Sequence, residues 1–430
     1  YQSQRLDRYR EVAAQLLDAG HAYRCFCGVG SNAEVEGAEV EKEAGKAGRK
    51  SYPEDAGQTA AAHECALLSP EESARRAAAG EPFAIRFRIP SEKTSSFKDK
   101  VFGKIEIENS ILEDFVLLRS DGVPTYHLSV VVDDMDMGVT HVIRGADHIS
   151  NTPKQIFLYR AVGKPVPEFV HLPLILGPDK QRLSKRHGAT SVMSYAEEGY
   201  QPEAFFNFLS LLGWSPGDDR ELLTRDELVS LFSLEGVGKA NAVFGTEKLD
   251  WFNSQYLRNM PAGELRALAV AELQTSGVWP ATGNGESAPT LDPEILASLD
   301  AAIELVKPRA KKIADFSGNF RAFFTDDFAY DPAAAAKFLS DAKLHELLPA
   351  LRAKYDADEV FTLQSTEEAL RALAEASGVK AGLLINALRV ALTGQGVAPG
   401  LFEVMQVLGR RRTLARIKRL SDFLSASGGK

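Results

Sequence analysis

Residues 139–176 read VTHVIRGADHISNTPKQIFLYRAVGKPVPEFVHLPLIL and contain the clearest fold signal in the chain. Residues 139–143 and 172–176 are short apolar runs of strand length, and residues 152–161 between them have the pattern of a helix. A strand, a helix and a second strand at this spacing predict a βαβ unit, whose two strands lie parallel in one sheet. We therefore predict an α/β fold around this segment.

The chain before this unit has both helix and strand patterns, and the chain after it has mostly helix patterns. Apolar residues at helical spacing predict a helix over 6–17, which Gly20 ends. Strand patterns precede the unit, and four helical patterns follow position 202. The strands are predicted at 83–89, 105–111 and 115–118, with a turn at Asp121-Gly122; 126–132 fits a helix or a strand; and helical spacing occurs at 295–306, 334–347, 367–373 and 385–392.

Two segments have a composition that does not predict regular structure. Residues 28–62 are poor in large apolar side chains, so they cannot bury enough surface to fold alone, and we predict a mobile insertion. Residues 274–292 are rich in Gly, Pro, Ser and Thr, which predicts a loop between helices.

Composition limits the class of protein. The 430 residues are 44% hydrophobic and 25% charged, which is globular and predicts two to four domains. No apolar run has the length of a membrane span, and three cysteines are too few for a disulfide framework, so we expect a reducing compartment and no membrane contact. The net charge of -9 argues against nucleic-acid binding over the whole surface, but basic clusters occur at 182–187, 307–312 and 410–419.

The loop after the second predicted strand has the strongest chemical signal. It reads LGPDKQRLSKRHG over residues 176–188 and presents Lys180, Arg182, Lys185 and Arg186 around Ser184. Cations placed where charge grows on a leaving pyrophosphate lower the barrier to nucleotidyl transfer. A solvated basic turn is the alternative interpretation of the composition alone.

The RLSKR sequence of residues 182–186 resembles the second signature of class I aminoacyl-tRNA synthetases, usually written KMSKS. Further blocks are similar, in order and spacing, to the glutamyl-tRNA synthetase family of bacterial type. They are DGVPTYH at 121–127, VDD at 132–134, THVIRG at 140–145, DHISNTPKQ at 147–155, FNFLSLLGW at 206–214, and the segments 244–258, 387–394 and 399–417.

The resemblance implies a domain order. Residues 1–24 would end the first half of a Rossmann-like catalytic domain, which is incomplete in this chain, and 25–118 would form an inserted α/β acceptor-binding domain containing the 28–62 segment. Residues 119–194 would be the second catalytic half. All-α domains would follow, with stem contacts over 195–262 and anticodon binding over 263–430.

The resemblance also implies a reaction and its residues. Glutamate would attack the α-phosphate of ATP, and the glutamyl group would pass from the adenylate to tRNA(Glu), with Mg²⁺ accompanying ATP. We expect a monomer. The implied catalytic residues are Ser184, Lys185 and Lys180; ATP would be bound by Arg182, Leu183, Ser184, Lys185 and Arg186; glutamate by Tyr126, Arg144 and Val130; and tRNA by Asp147, Arg309, Arg410, Arg411, Arg412 and Arg416.

Several of these residues also have purely structural interpretations. Tyr126 could be a buried aromatic, Arg144 could pair with Asp147 as scaffolding, and each arginine could be ordinary surface charge. Val130 and Met135 stand where the family commonly has an asparagine and a histidine. No HIGH-type signature occurs before Lys185, so we expect this polypeptide alone not to form glutamyl-adenylate.

Cys25, Cys27, Cys65 and His63 are a candidate zinc site. Two pairs of thiol and imidazole ligands suit tetrahedral zinc, and some glutamyl enzymes bind zinc through a CxC pair and a later cysteine. The family's histidine position after the later cysteine is Leu67 here, so His63 would be a substitute. Free thiols beside an incidental histidine are the alternative.

Other functions make different predictions. A paralogue that glutamylates queuosine lacks an anticodon domain, and glutaminyl enzymes use β-barrels where residues 263–425 predict helices. A tRNA-binding module or catalytically incomplete fragment, without activation, is the remaining alternative. The insertion at 28–62 favours the mitochondrial matrix over the bacterial cytoplasm, and charging of tRNA(Gln) is left open.

Overall fold

The computed structural model describes residues 1–27, 64–184, 191–279 and 293–427. These residues belong to two compact units, Tyr1–Gly188 with Ser210–Gly245, and Ala189–Leu209 with Thr246–Lys430. Within the described residues, no helix is both long enough and apolar enough to cross a membrane. The predicted insertion at 28–62 lies outside the described residues, and so does most of the predicted loop at 274–292.

The described helices and strands follow the mixed and then helical order of the sequence patterns. The strands are β1 Ala22–Cys25, β2 Ala84–Phe87, β3 Thr94–Asp99, β4 Gly103–Glu108, β5 Phe115–Leu118, β6 His141–Gly145, β7 Glu168–Leu172, β8 Ile175–Leu176 and β9 Ala242–Val243. The helices are α1 Leu6–Asp18, α2 Pro70–Ala78, α3 Tyr126–Asp136, α4 Thr152–Ala161, α5 Val192–Glu197, α6 Pro202–Ser210, α7 Arg225–Leu231, α8 Thr246–Asn259, α9 Ala262–Thr275, α10 Pro293–Val306, α11 Ala314–Ser317, α12 Arg321–Phe324, α13 Pro332–Phe338, α14 Leu344–Ala357, α15 Leu363–Ala376, α16 Ala381–Thr393 and α17 Leu401–Ser427.

The predicted βαβ unit is present as β6, α4 and β7. β6 pairs with β7 in parallel, with Arg144 opposite His171. The second strand of the unit was predicted at 172–176, and this position is wrong, because β7 covers Glu168–Leu172. β7 ends before Pro173, which has no N–H to continue the ladder. Residues Ile175–Leu176 instead pair with Ala242–Val243 in a separate two-stranded sheet.

The sheet that contains this unit is mixed, with strand order β4-β3-β7-β6. β3 and β4 form an antiparallel hairpin, and β3 joins β7 in parallel where Asp99 lies opposite Phe169. β3 has no strand pattern in the sequence, because TSSFKD contains one large apolar side chain and no apolar alternation. The hairpin therefore adds two strands to the edge of the predicted parallel pair.

A second sheet in the first unit packs against α1. Its strands run antiparallel in the order β1-β2-β5. α1 buries Tyr9, Val12 and Leu16 in the core of this unit, which confirms the predicted amphipathic helix. Gly20 follows the helix with φ of +76°, a conformation that glycine adopts at low cost. The ambiguous segment at 126–132 is helical and contributes Leu128 and Val132 to the same core.

The second unit is helical throughout its described residues. No strand occurs in 263–279 or 293–427, so the predicted all-helical form is confirmed over these described residues. The helical pattern predicted at 334–347 is divided into α13 and α14. α17 has non-helical backbone at Gly409, with φ of +73° and ψ of 164°, so Arg410 begins its last helical segment.

Candidate active site

Arg144 and Tyr126, two of the residues predicted to bind glutamate, lie side by side. Arg144 is on β6 and Tyr126 is the first residue of α3, and Arg144 Nη1 donates to the Tyr126 hydroxyl across 3.4 Å. Tyr126 is 44% exposed, so it is not a buried core aromatic. Burial lowers the pKa of Arg144 below its ordinary value, although the neighbouring Tyr126 opposes that shift. A partly desolvated guanidinium beside an accessible hydroxyl is suited to binding a carboxylate.

His148 is a further residue of this pocket that the sequence analysis did not assign. Its Nδ1 lies 3.4 Å from the Tyr126 hydroxyl and 3.2 Å from Asn151 Nδ2, and its carbonyl accepts from Arg144 Nη2 at 3.4 Å. The DHISN sequence showed these residues only as a family block, and the fold brings them to Tyr126. Val130, also predicted here, is partly buried and packs against the hydrophobic core of the first unit.

Three elements hold Arg144 in place. Its Nε donates to His171 Nε2 at 3.2 Å, and its Nη2 donates to Thr152 Oγ1 at 2.7 Å. The guanidinium carbon lies 5.4 Å from the centroid of the Phe169 ring, within the range of a cation–π contact. β6, β7 and the start of α4 thus all contribute to its position.

The predicted ATP loop begins as a tight turn after β8. The N–H of Lys180 donates to the carbonyl of Gly177 at 2.9 Å, and Gly177 N–H donates to the Gln181 carbonyl at 2.7 Å. Lys180 has φ of +60°, which is uncommon for a residue with a side chain. Leu183 N–H returns to the Ile175 carbonyl at 3.1 Å, which ties the outgoing chain to β8.

The structure describes only some of the basic side chains of this loop. Arg182 Nη2 lies 3.1 Å from Asp147 Oδ2, so Asp147 is paired with Arg182 and not with Arg144 as the scaffolding interpretation proposed. Ser184 is described and exposed. Lys185 and Arg186 lie outside the described residues, so their predicted roles remain predictions.

The three cysteines meet where β1 ends. The Sγ atoms of Cys25, Cys27 and Cys65 all lie within 4.8 Å of one another. Cys65 Sγ accepts the Phe26 N–H at 3.3 Å and lies 3.2 Å from Cys27 Sγ. Burial opposes ionisation of Cys65, but these hydrogen bonds outweigh it and lower the pKa of its thiol. The bond to Cys65, with burial, raises the pKa of Cys27 to about 11. His63 lies outside the described residues.

The arginines predicted to bind tRNA occupy different environments. Arg309 and Arg411 are exposed, and Arg410 is half-buried. Arg412 Nε pairs with Asp326 at 3.2 Å. Arg416 is 2% exposed, so its guanidinium cannot reach a phosphate in this structure. Its donors bind the carbonyls of Ala322 and Thr325, which corrects the predicted RNA contact to a role inside the protein.

Comparison with protein families assigns both parts of the chain. Residues 1–251 match the model of the catalytic domain of class I tRNA synthetases (E and Q), and residues 278–421 match an anticodon binding domain. The chain is 52% identical over 424 residues to glutamate–tRNA ligase 2 of Koribacter versatilis, covering 98% of this chain and 83% of the relative. It is 41% identical over 419 residues to glutamate–tRNA ligase of Syntrophotalea carbinolica, covering 97% and 82%. The chain belongs to the glutamate–tRNA ligase family.

Solved structures of the glutamate–tRNA ligase family have the same fold. A glutamate–tRNA ligase from Elizabethkingia meningosepticum, in complex with its amino acid, superposes with a TM-score of 0.73 at 30% identity, covering 98% of this chain and 84% of that one. A second from Elizabethkingia anophelis gives 0.72 at the same identity, covering 98% and 83%. The relatives named here are bacterial, so the expectation of a mitochondrial protein has no support.

Proposed function

We propose that the chain activates glutamate with ATP and transfers it to tRNA in the bacterial cytoplasm, in place of the catalytically incomplete fragment expected from the lack of a HIGH-type signature. In the first step a glutamate α-carboxylate oxygen bonds to the α-phosphorus of ATP, the bond from that phosphorus to the bridging oxygen breaks, and pyrophosphate leaves. In the second a terminal ribose hydroxyl of tRNA attacks the glutamyl carbonyl, loses its proton, and AMP leaves. The pairing of Arg144 with Tyr126 at an open surface carries this proposal.

The side chains have separate roles in this proposal. Arg144 and Tyr126 bind glutamate, and Val130 shapes the helix face beside them. The loop after β8 binds the ATP phosphates through Lys180, Arg182, Leu183, Ser184, Lys185 and Arg186, with Lys185 as the chief cation for the charge that develops on pyrophosphate and Ser184 orienting it. Mg²⁺, when bound with ATP, supplies charge neutralisation at the phosphates.

We further propose that residues of each unit contact tRNA, with the domain boundaries inferred from the sequence. Asp147 would contact the tRNA end near the pocket, and Arg309, Arg410, Arg411 and Arg412 would contact the anticodon arm. Of these arginines, Arg309 and Arg411 have the best support, because they are exposed and a guanidinium can pair with phosphate or stack on a base. The protein would act as a monomer.

Zinc binding by the cysteine cluster is part of the proposal. Tetrahedral zinc with thiolate ligands places sulfur atoms roughly 3.8 Å apart, and the three thiols fit that requirement within the spread of their positions. A thiol with a lowered pKa, as at Cys65, is also the form that a metal selects. Zinc would join β1 to the turn at Glu64–Leu67 and so stabilise the acceptor-binding segment.

The test of ligase activity is charging of bacterial tRNA with radiolabelled glutamate by the complete gene product. We expect Arg144→Gln to lower kcat/KM for glutamate roughly 10- to 100-fold, because it removes charge-assisted bonds. Arg160→Gln, which removes an exposed arginine of α4, is the matched control and should have wild-type activity. Lys185→Ala and the exposed control Lys164→Ala test the loop in the same way.

The same assays separate the remaining alternatives. Glutamate-dependent pyrophosphate exchange in the presence of tRNA distinguishes a ligase from a protein that only binds tRNA. Binding of tRNA with no exchange and no charging contradicts the proposed activity. Metal analysis tests zinc, because the wild type should contain about one zinc per chain and Cys65→Ser should contain none. Retention of zinc in His63→Ala would exclude His63 as a necessary ligand.

A further inference from the structure

A buried hydrogen-bond chain connects Asp99 on β3 to Arg144 on β6 through His171 on β7. Asp99 is 1% exposed and His171 is fully buried. Asp99 Oδ2 lies 2.7 Å from His171 Nδ1 and also accepts the backbone N–H of His171 at 3.1 Å. Asp99 Oδ1 accepts the N–H groups of Val101 and Phe102 at 2.9 and 2.8 Å. Three backbone N–H groups donate to this carboxylate, which has only acceptor atoms when ionised, so the hydrogen bond to His171 Nδ1 requires the proton to lie on Nδ1.

This arrangement fixes what the other nitrogen of His171 can do. With the proton on Nδ1 of a neutral ring, Nε2 has a free lone pair and accepts the Arg144 Nε–H at 3.2 Å. Burial lowers the pKa of His171, and the charge of Arg144 adds to that effect against the opposing bond from Asp99, which keeps the ring neutral near pH 7. A ring protonated on Nε2 would instead direct a proton at the Arg144 Nε–H.

Thr152 completes the acceptors around Arg144. Its hydroxyl oxygen accepts from Arg144 Nη2 at 2.7 Å and lies 3.2 Å from the His148 carbonyl, to which it can donate. It is also 3.1 Å from His171 Nε2. When the Thr152 proton points to the carbonyl, the Nε2 lone pair is available to Arg144. His171 and Thr152 therefore hold one edge of the guanidinium, and Nη1 points toward the Tyr126 hydroxyl.

We propose that Asp99 and His171 are positioning residues for glutamate binding: together they orient the Arg144 guanidinium toward the substrate carboxylate. This inference rests on the proposed role of Arg144. Neither residue touches the substrate in the proposal, and both act through Arg144. The relation is not visible in the sequence, because Asp99 precedes His171 by 72 positions and lies in a hairpin that joins β7 at a single residue pair.

Asp99→Asn reverses the donor and acceptor roles in this hydrogen-bond chain without changing the size of the side chain at position 99. The amide oxygen can still accept from both Val101 and Phe102, whereas the opposite orientation would set the NH₂ group against both of these N–H groups. The NH₂ group therefore faces His171, where the backbone N–H of His171 loses its acceptor. The NH₂ group donates to Nδ1, so the imidazole proton moves to Nε2 and faces the Arg144 Nε–H. We expect KM for glutamate to rise about tenfold or more, because Arg144 loses an oriented contact, with little change in KM for ATP.

The two amides at position 171 provide a rescue test. His171→Asn retains a donor near Nδ1 but has no acceptor at the position of Nε2, so it should raise KM for glutamate as Asp99→Asn does. His171→Gln extends a carbonyl oxygen toward Arg144 and should recover a large part of the wild-type KM. Gln is also closer to His in volume than Asn is, so His171→Met, which has a similar volume but no carbonyl oxygen, separates the two explanations. It should raise KM for glutamate as His171→Asn does, whereas a role limited to packing predicts that His171→Met and His171→Gln behave alike.

Asp114→Asn is the matched control. Asp114 accepts from the Tyr23 hydroxyl at 2.9 Å and from the Ile89 N–H at 2.8 Å, in the same unit but in contact with the other sheet. It should lower thermal stability without a selective change in KM for glutamate. The inference is overturned when Asp99→Asn changes KM for glutamate no more than this control, or when His171→Asn and His171→Gln behave alike. Should Asp99→Asn not fold, the pair at position 171 decides.

The result separates this inference from the proposed function. A wild-type protein that charges no tRNA with glutamate contradicts the proposed function itself. A wild-type protein that charges tRNA, with variants at positions 99 and 171 that keep its KM for glutamate, contradicts only the positioning role.

Discussion

Arg182 Nη2 lies 3.1 Å from Asp147 Oδ2, which joins the loop after β8 to the turn after β6. Both side chains are partly exposed, so the pair is worth about 0 to 1 kcal/mol. A contact of this strength can bias the loop toward the pocket without locking it there. In the proposed function Arg182 would keep this contact when ATP binds, because its other N–H donors remain available to a phosphate.

A double-mutant cycle tests this relationship. We expect Asp147→Asn and Arg182→Gln each to raise KM for ATP about two- to fivefold, and the double variant to show less than the product of the two changes. The coupling should weaken at about 1 M salt, where the Debye length is about 3 Å. Strictly multiplicative effects at low salt would show that the two side chains act independently.

The fold around the pocket was predictable where one strong pattern covered one element. Residues 152–161 have helical composition with Pro153 in the first turn, and α4 has those bounds. The strand at Glu168–Leu172 was placed four residues late, because Glu168 and His171 interrupt its apolar pattern. His171 is polar in a buried strand because it bonds to Asp99, so the residue that hid the strand is the one with a proposed role.

The site was predictable only as far as local motifs reach. Tyr126 and Arg144 were predicted from family blocks and are adjacent in the structure. Asp99 was not, because no motif connects it to Arg144 and the connection depends on sheet order. His148 lies in a quoted family block, but its contact with Tyr126 depends on the fold. Arg416 was assigned to RNA because a cluster of arginines gives no information about which side chain points inward.

The buried imidazole of His127 should make the stability of the first unit sensitive to acid. Burial, with the charge of Lys154, lowers the pKa of His127 to about 4 from 6.5. Between these values the unfolded chain binds more protons than the native one, so stability is highest above pH 6.5 and falls as pH drops toward 4. The slope reaches about 1.4 kcal/mol per pH unit, for a total of about 3 kcal/mol.

Denaturant unfolding of His127→Asn at several pH values checks this prediction. The variant should be less stable at pH 7 and should lose less stability than the wild type between pH 6.5 and 4.5. His21→Gln, at an exposed position of the same unit, should retain the wild-type pH dependence. An unchanged slope in His127→Asn would assign the acid sensitivity to other groups.

The buried guanidinium of Arg416 should contribute to the unfolding free energy of the second unit. Its Nη2 donates to Asp326 Oδ1 at 2.6 Å and to the Ala322 carbonyl at 2.7 Å, so α17 is joined to the end of α12. Arg416→Met nearly keeps the volume and removes the donors to the Ala322 and Thr325 carbonyls, while Asp326 still pairs with Arg412. We therefore expect a loss of about 2 to 4 kcal/mol in unfolding free energy. Arg411→Met, on the exposed face of the same helix, should be within about 0.5 kcal/mol of the wild type. Equal effects of the two substitutions would contradict the internal role.

The exposed Arg411, unlike the buried Arg416, should affect tRNA binding and not stability. Its side chain is exposed near the start of the last helical segment, so it can contact a phosphate without first breaking an internal bond. We expect Arg411→Gln to weaken tRNA binding and to reduce the slope of log affinity against log salt by about 0.7 to 1, the signature of one lost phosphate contact. Arg371→Gln is the control, because that exposed arginine already pairs with Glu367 at 2.6 Å. A slope unchanged in Arg411→Gln, measured by filter binding between low and moderate salt, would place the RNA contact elsewhere on the unit.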